Sequence, residues 1–193
     1  MTRFGRRVLY GLATNSQFEA LAVSNQLTTD VAYRAARRYV AGRTLDEAMG
    51  TVHRLVGAGL GVSLDMFGEG LDDPSAASGV IDEYRAAAIA IEAAGGDVYL
   101  EVVPSHLGLD FGVDVCRRHI EAIVEALPSG ARLEVSAEES RRTPHIVELA
   151  LGLARSGAPL VVTLQANLKR STTDADRLVE AGVPIRLVKG SSR

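Results

Sequence analysis

The chain has 193 residues, 47% of them hydrophobic and 5% aromatic, with a formal net charge of −3. This length suits one domain, or part of a larger one, with ample apolar material for a core. The small negative charge gives no footprint for nucleic acid, and no apolar run approaches the roughly 20 residues of a membrane-spanning helix. The single cysteine, Cys116, excludes an internal disulfide, and its place in the pattern Val113, Cys116, Ile120, Ile123 marks it as a small core residue. The basic start lacks an apolar signal core, so a cytoplasmic location is expected. Arginine far outnumbers lysine, which points to a GC-rich bacterial genome more than to a mechanism.

In chain order, residues 3–39 are expected to be helical, broken near Asn15 and Asn25, with Tyr33–Arg38 as a solvated basic face. Thr44 followed by Glu47 has the spacing of a capping box, and Leu45, Ala48, Met49, Val52, Leu55 and Val56 continue it as a helix. From there strands and helices alternate. Strands are predicted at 61–64, 97–103, 132–135, 160–164 and 184–190. Helices are predicted at 74–93 and 113–127, then from Thr143 as cap with Pro144 to Gly157, then from Thr172-Thr173 to Gly182. Asp174 and Asp176 in the first turn of the last helix suit its dipole.

Strands this apolar call for cover on both faces, hence a parallel sheet of right-handed βαβ units. A βα-barrel and a doubly wound sheet both fit. No Gly-x-Gly-x-x-Gly follows a strand, so a Rossmann dinucleotide site is unsupported. A full barrel needs eight units, and five are present. The expected fold is therefore α/β, an incomplete (βα) barrel of about five parallel strands at 58–193. An amino-terminal helical segment at 1–57 precedes it, within one structural domain overall.

Ligands of parallel α/β folds sit beyond the carboxyl ends of the strands. Those ends carry Asp65 and Glu69; Ser105 and His106; Ser136, Glu138 and Glu139; Gln165, Asn167, Lys169 and Arg170; and Arg186, Lys189 and Gly190. Asp65 reads either as a turn cap or as a site residue. Glu138 and Glu139 with Arg141 and Arg142 read as surface ion pairs, and His106 as an incidental loop histidine. Gln165 ends an apolar strand, where burial demands partners for its amide. Arg186 interrupts an apolar strand and is costly to bury unless something anionic or strongly polar meets it. No histidine cluster, Ser-His-Asp signature or P-loop is present.

These strand ends resemble those of the proline dehydrogenases. The likeness rests on Ser63-Leu64-Asp65-Met66-Phe67-Gly68-Glu69, Leu107-Gly108-Leu109-Asp110, Gln165-Ala166-Asn167-Leu168-Lys169-Arg170 and Arg186-Leu187-Val188-Lys189-Gly190, in order. Arg37–Leu45 resembles the family's lead-in to its barrel. The resemblance implies a flavoenzyme on a distorted βα-barrel that oxidises L-proline to 1-pyrroline-5-carboxylate by hydride transfer to FAD. By resemblance, Gln165 contacts the isoalloxazine ring, and Arg186 lies near its reactive nitrogen. Val188, Lys189, Gly190 and Ser191 touch the ribityl and phosphate part, and Ala137 stands where the family has a methionine. Arg186 and Asp65 are the residues that the resemblance assigns to catalysis.

The chain departs from the family pattern at several places. Val103 replaces a substrate-holding lysine, Ser136 an aspartate and Asn167 a tyrosine. The family's last three strands, and the helix whose paired arginines bind the proline carboxylate, have no counterpart here. An alternative reading follows: an inactive, truncated homologue acting through self-association at open barrel edges or through a partner chain. A third is an unrelated barrel enzyme with Lys189-Gly190 as an anion site. Without flavin, Arg186 is expected to turn to solvent or to pair with a carboxylate such as Asp65 or Glu134.

Overall fold

The computed structural model describes residues 39–68, 70, 71 and 73–190. The helices expected at 3–38, and Glu69 and Ser191 at the strand ends, lie outside the described residues. The chain divides into two units between Thr51 and Val52. Helix α1 (Leu45–Gly57) runs across that boundary. Its start is close to the expected capping box. The N–H of Glu47 donates to Thr44 Oγ1 at 3.3 Å, and Glu47 Oε2 accepts the N–H of Arg43, one residue before the cap, at 2.9 Å.

The second unit is a five-stranded parallel sheet with a helix after each of its first four strands. Strand β1 (Val62–Asp65) leads through a 3-10 turn to α2 (Ala77–Ala90); β2 (Val98–Val102) leads through two more to α3 (Val113–Val124). Strand β3 (Arg132–Val135) precedes α4 (Thr143–Arg155), and β4 (Leu160–Gln165) precedes α5 (Ser171–Glu180) and β5 (Ile185–Val188). The spatial order is β1-β2-β3-β4-β5, every neighbour parallel. This order separates the two architectures left open by the hydrophobic pattern. A doubly wound sheet reverses its strand order at a switch point, whereas a βα-barrel adds each strand beside the last. The sheet is thus a curled half-barrel.

The core lies between sheet and helices. On the convex face Leu64, Val98, Leu100, Val102, Leu133, Val135, Leu160, Val162 and Leu164 are buried. Consecutive helices pack against one another and cover this face, meeting it with Tyr84, Ile120, Ile123, Leu149, Leu153 and Leu178. Tyr84 Oη accepts the N–H of Val103 at 3.3 Å, which pins α2 to the end of β2. Cys116 is buried with its Sγ 3.5 Å from the Pro104 carbonyl, and burial pushes its thiol pKa up, as suits an inert core residue. The Gly95-Gly96 stop is a packing requirement: Gly96 has φ +71°, and a Cβ there would meet Val56 Cγ1 at 2.7 Å.

Three local expectations are corrected. The α3 helix stops three residues early, because Ala126 and Leu127 bond back to Ile123 and Val124 in tightened turns. Thr143 does not cap α4; Arg142 holds that position, and Thr143 is a buried first-turn residue that makes no cap bond. Helix α5 opens at Ser171, and Asp174 does more than meet a dipole. It is 2% exposed and accepts from Arg170 Nε at 2.5 Å and Nη2 at 2.8 Å.

Candidate functional site

The larger correction concerns the strands themselves. They are not apolar on both faces. Side chains alternate across a strand, so Ser63, Glu101, Glu134, Thr163 and Arg186 fall on the concave face, opposite the buried aliphatic set. Over this face lies a groove of about 460 Å³, lined by Ser63, Tyr99, Arg132, Glu134 and Arg186 among others. It opens toward the amino half of the strands, where Arg132 sits over the Tyr99 ring at 4.4 Å and pairs with Asp97.

Glu134 is the hub of the concave face. It is 3% exposed, and its carboxylate accepts from Thr163 Oγ1 at 2.6 Å, Ser63 Oγ at 3.1 Å and Arg186 Nη1 at 2.5 Å. Glu101 stands beside it in register. It accepts from Ser63 Oγ at 2.9 Å and from Ser136 Oγ, and lies 3.6 Å from Arg186 Nη1. Arg186 therefore escapes the cost that its position in an apolar run suggested. Its side chain is half exposed and it meets two carboxylates, the pairing with Glu134 that the sequence reading named. Glu134 and Glu101 hold its pKa above the ordinary arginine value.

Asp65 closes β1 in register with Glu101. The protein around it lowers its hydration, and Glu101 and Glu134 repel its charge, so its pKa rises to about 6 although the Met66 N–H stabilises the anion. A carboxyl raised toward neutrality at a strand end can exchange a proton at physiological pH.

The loops at the carboxyl ends are tied by a second network, centred on Arg142. Arg142 Nε and Nη2 donate to Asp110 at 2.9 and 2.5 Å, and Nη1 reaches Glu138 at 3.3 Å and also Glu139. Glu138 accepts the N–H of Ser105 at 2.8 Å, while its carbonyl accepts from Gln165 Nε2 at 2.6 Å. Glu138 and Arg142 are thus not a surface pair. Their side chains are 9% and 13% exposed, and they brace three loops together. Only Glu139 and Arg141 match that expectation. His106 is likewise buried, under the loop that carries Gly68, where a Cβ would come within 3.3 Å of its ring.

Of the sequence-predicted site residues, Gln165, Val188 and Gly190 come together at the ends of β4 and β5. Gln165 pairs in register with Val188, and the N–H of Ala166 donates to the Val188 carbonyl at 2.8 Å. Gly190 has φ +84°, and a Cβ there would lie 2.0 Å from Asn167 Oδ1, so this turn requires glycine. Exposed Lys189 precedes it, and Ala137 follows Ser136 in the loop after β3. Arg186 lies one row deeper, in register with Thr163. Sequence reasoning missed Ser63, Glu101 and Thr163. Their signal was the alternation of polar and apolar residues in Val62-Ser63-Leu64-Asp65, Leu100-Glu101-Val102 and Val162-Thr163-Leu164-Gln165. No cluster of potential metal ligands occurs, and no helix is long and apolar enough to cross a membrane, among the described residues.

No family model matches the chain. Proline dehydrogenase 1 of Bacillus subtilis subsp. natto is 28% identical over 157 residues, covering 81% of this chain and 52% of that protein. The proline dehydrogenase of Deinococcus radiodurans is 30% identical over 195 residues, covering 96% of this chain and 60% of that protein. Among solved structures, proline utilization A from Bdellovibrio bacteriovorus, inactivated by N-propargylglycine, superposes with a TM-score of 0.67 at 16% identity, over 78% of this chain and 20% of that one. This likeness is one of fold. The chain spans about half to three fifths of the length of these curated relatives. In sequence the chain is similar to these proline dehydrogenases, and in fold to proline utilization A.

Proposed function

We propose that the chain supplies the flavin half of a proline-oxidising site, with FAD over the carboxyl ends of β4 and β5 and L-proline as electron donor. The observation that carries this reading is the gathering of Gln165, Val188 and Gly190 at the ends of β4 and β5, one row beyond Arg186, whose pairing with Glu134 is the state expected before flavin binds. The Arg186 guanidinium is anchored through Nη1, while Nε and Nη2 make no hydrogen bond among the described residues and its side chain is half exposed. Such a donor set fits the polar edge of a flavin ring, and a fixed cation there stabilises negative charge as it develops.

When bound, FAD would accept the hydride that leaves the proline ring. Gln165 would present its side chain to the ring, and the backbone of Val188, Lys189 and Gly190, continued by Ser191, would follow the ribityl and phosphate part. Ala137, in the loop after β3, would border the ring beside Ser136. Asp65 is the group titrating near neutrality that is available for the proton of the substrate nitrogen.

The described residues provide less for the substrate. Val103 and Ser136 bring no charge, and the cations Arg142 and Arg170 are spent on acidic partners. The carboxylate clamp is therefore the part of the site that these residues do not supply. Purified protein incubated with FAD should retain yellow flavin through gel filtration, and proline should reduce a dye if the clamp is supplied. Protein that takes up no FAD would remove the proposal. A second reading, association through the sheet edges, is favoured by Leu187, which is 65% exposed on the convex side of edge strand β5. A well-dispersed monomer at high concentration would count against it.

A further inference from the structure

We infer that Glu134 is a positioning residue for Arg186. It holds the guanidinium down on the concave face and thereby sets how much positive charge reaches a bound flavin. The inference rests on the flavin reading above for its consequence, but not for its geometry.

Arg186 and Glu134 lie on β5 and β3, with β4 between them, so the guanidinium must reach back across a strand to make its bond. What it reaches is already fixed. Glu134 is buried, and Thr163 from β4 and Ser63 from β1 donate to its two oxygens. Hydroxyl donors on both sides hold the carboxylate against rotation, so its Oε1 offers Arg186 a single well-defined seat. Glu101 lies further off, at 3.6 Å; it accepts from Ser136 Oγ and shares the single Ser63 hydroxyl proton with Glu134. It adds charge without setting direction.

The position of this anchor matters. In register, Glu134 pairs with Glu101 and Val161, whereas Arg186 pairs with Thr163, two residues further along β4. The acid thus sits one inward-facing row below the arginine and draws it away from the strand ends, where Gln165 and Val188 lie. A polar ring edge at the strand ends competes with Glu134 for the guanidinium, and the buried carboxylate screens part of its charge. Without the carboxylate, the guanidinium would be free to rise and would act at full charge.

The test uses the whole chain and two readouts. The first needs no flavin. The Nη1–H resonance of Arg186, assigned by its loss in Arg186→Lys, should be resolved and slow to exchange with solvent in the parent protein. It should be lost to fast exchange in Glu134→Gln, which keeps one acceptor oxygen for Thr163 but removes the charge that seats the guanidinium. It should be lost too in Glu134→Asp, which keeps the charge but is one methylene too short to reach. It should survive in Glu101→Gln. The second readout is the ratio of reduced- to oxidised-flavin affinity, which should rise about tenfold in Glu134→Gln, a shift of about 30 mV for a two-electron couple. A persistent Arg186 resonance in both folded Glu134 variants, or an unchanged ratio in flavin-loaded Glu134→Gln, overturns the inference. If one variant does not fold, the other decides the resonance test. Parent protein that binds no FAD defeats the proposed function alone, and the resonance still reports whether Glu134 seats Arg186.

Discussion

Replacing Arg142 by methionine keeps most of the side-chain volume but removes the cation that braces the loops at the carboxyl ends of β2 and β3. The cost divides by exposure. Asp110 and Glu139 are 48% and 61% exposed, so each lost pair contributes no more than about 1 kcal/mol. Glu138 is different. At 9% exposure it would keep the Ser105 N–H but lose its only cation among the described residues. Stranding one member of a buried pair costs about 3–5 kcal/mol, and the remaining hydrogen bond places this case near the lower end. A total of about 3 kcal/mol corresponds to a fall in Tm of roughly 6–12 °C for a domain of this size. Differential scanning calorimetry at pH 7 measures it. The double variant with Glu138→Gln should recover about 2 kcal/mol, because the stranded charge is gone. A drop in Tm below about 2 °C, or additive losses in the double variant, would refute the claim that this pair is buried and coupled.

Other outcomes follow from the same geometry. Asp65→Asn should stabilise the protein above pH 6, where the folded state must otherwise carry an unfavourable charge. That gain should vanish as pH falls through about 6 toward 4, because protonated Asp65 costs nothing there; paired melts across this range report it. Gln165→Leu leaves the buried Glu138 carbonyl without its donor and should cost about 1–3 kcal/mol, read by urea unfolding. Leu100→Ala, at the centre of the convex face, should cost about 2–5 kcal/mol, whereas Leu187→Ala on the exposed edge should change stability by less than about 0.5 kcal/mol.

The fold was legible because its signals were local. Five apolar runs, the first four each followed by a helix with a glycine stop, pointed to a parallel sheet, and the strand ends collected the polar residues where such folds bind ligands. Barrel and doubly wound sheet could not be told apart by periodicity, since strand order is a property of the assembled sheet. At the site, Arg186, Gln165 and Gly190 stood out as polar or turn residues at the end of apolar runs. Glu101, Thr163 and Ser63 did not. Each sat within a strand whose hydrophobic partners dominated the pattern, and only the curl of the sheet brings them together around Glu134. Glu138 and Arg142 read as a surface pair because their spacing is that of any helix-start charge pair. Their burial arises from Ser105, more than 30 residues away in sequence.

In the proposed site, flavin binding turns on Arg186. The most direct measurement is a titration of the purified chain with FAD, followed by absorbance and calorimetry, for the parent and for Arg186→Met. The parent should bind one FAD per chain with a perturbed flavin spectrum. Arg186→Met, equally folded by circular dichroism, should bind at least tenfold more weakly. Absence of saturable binding in the parent, or equal affinity in the two proteins, would contradict it.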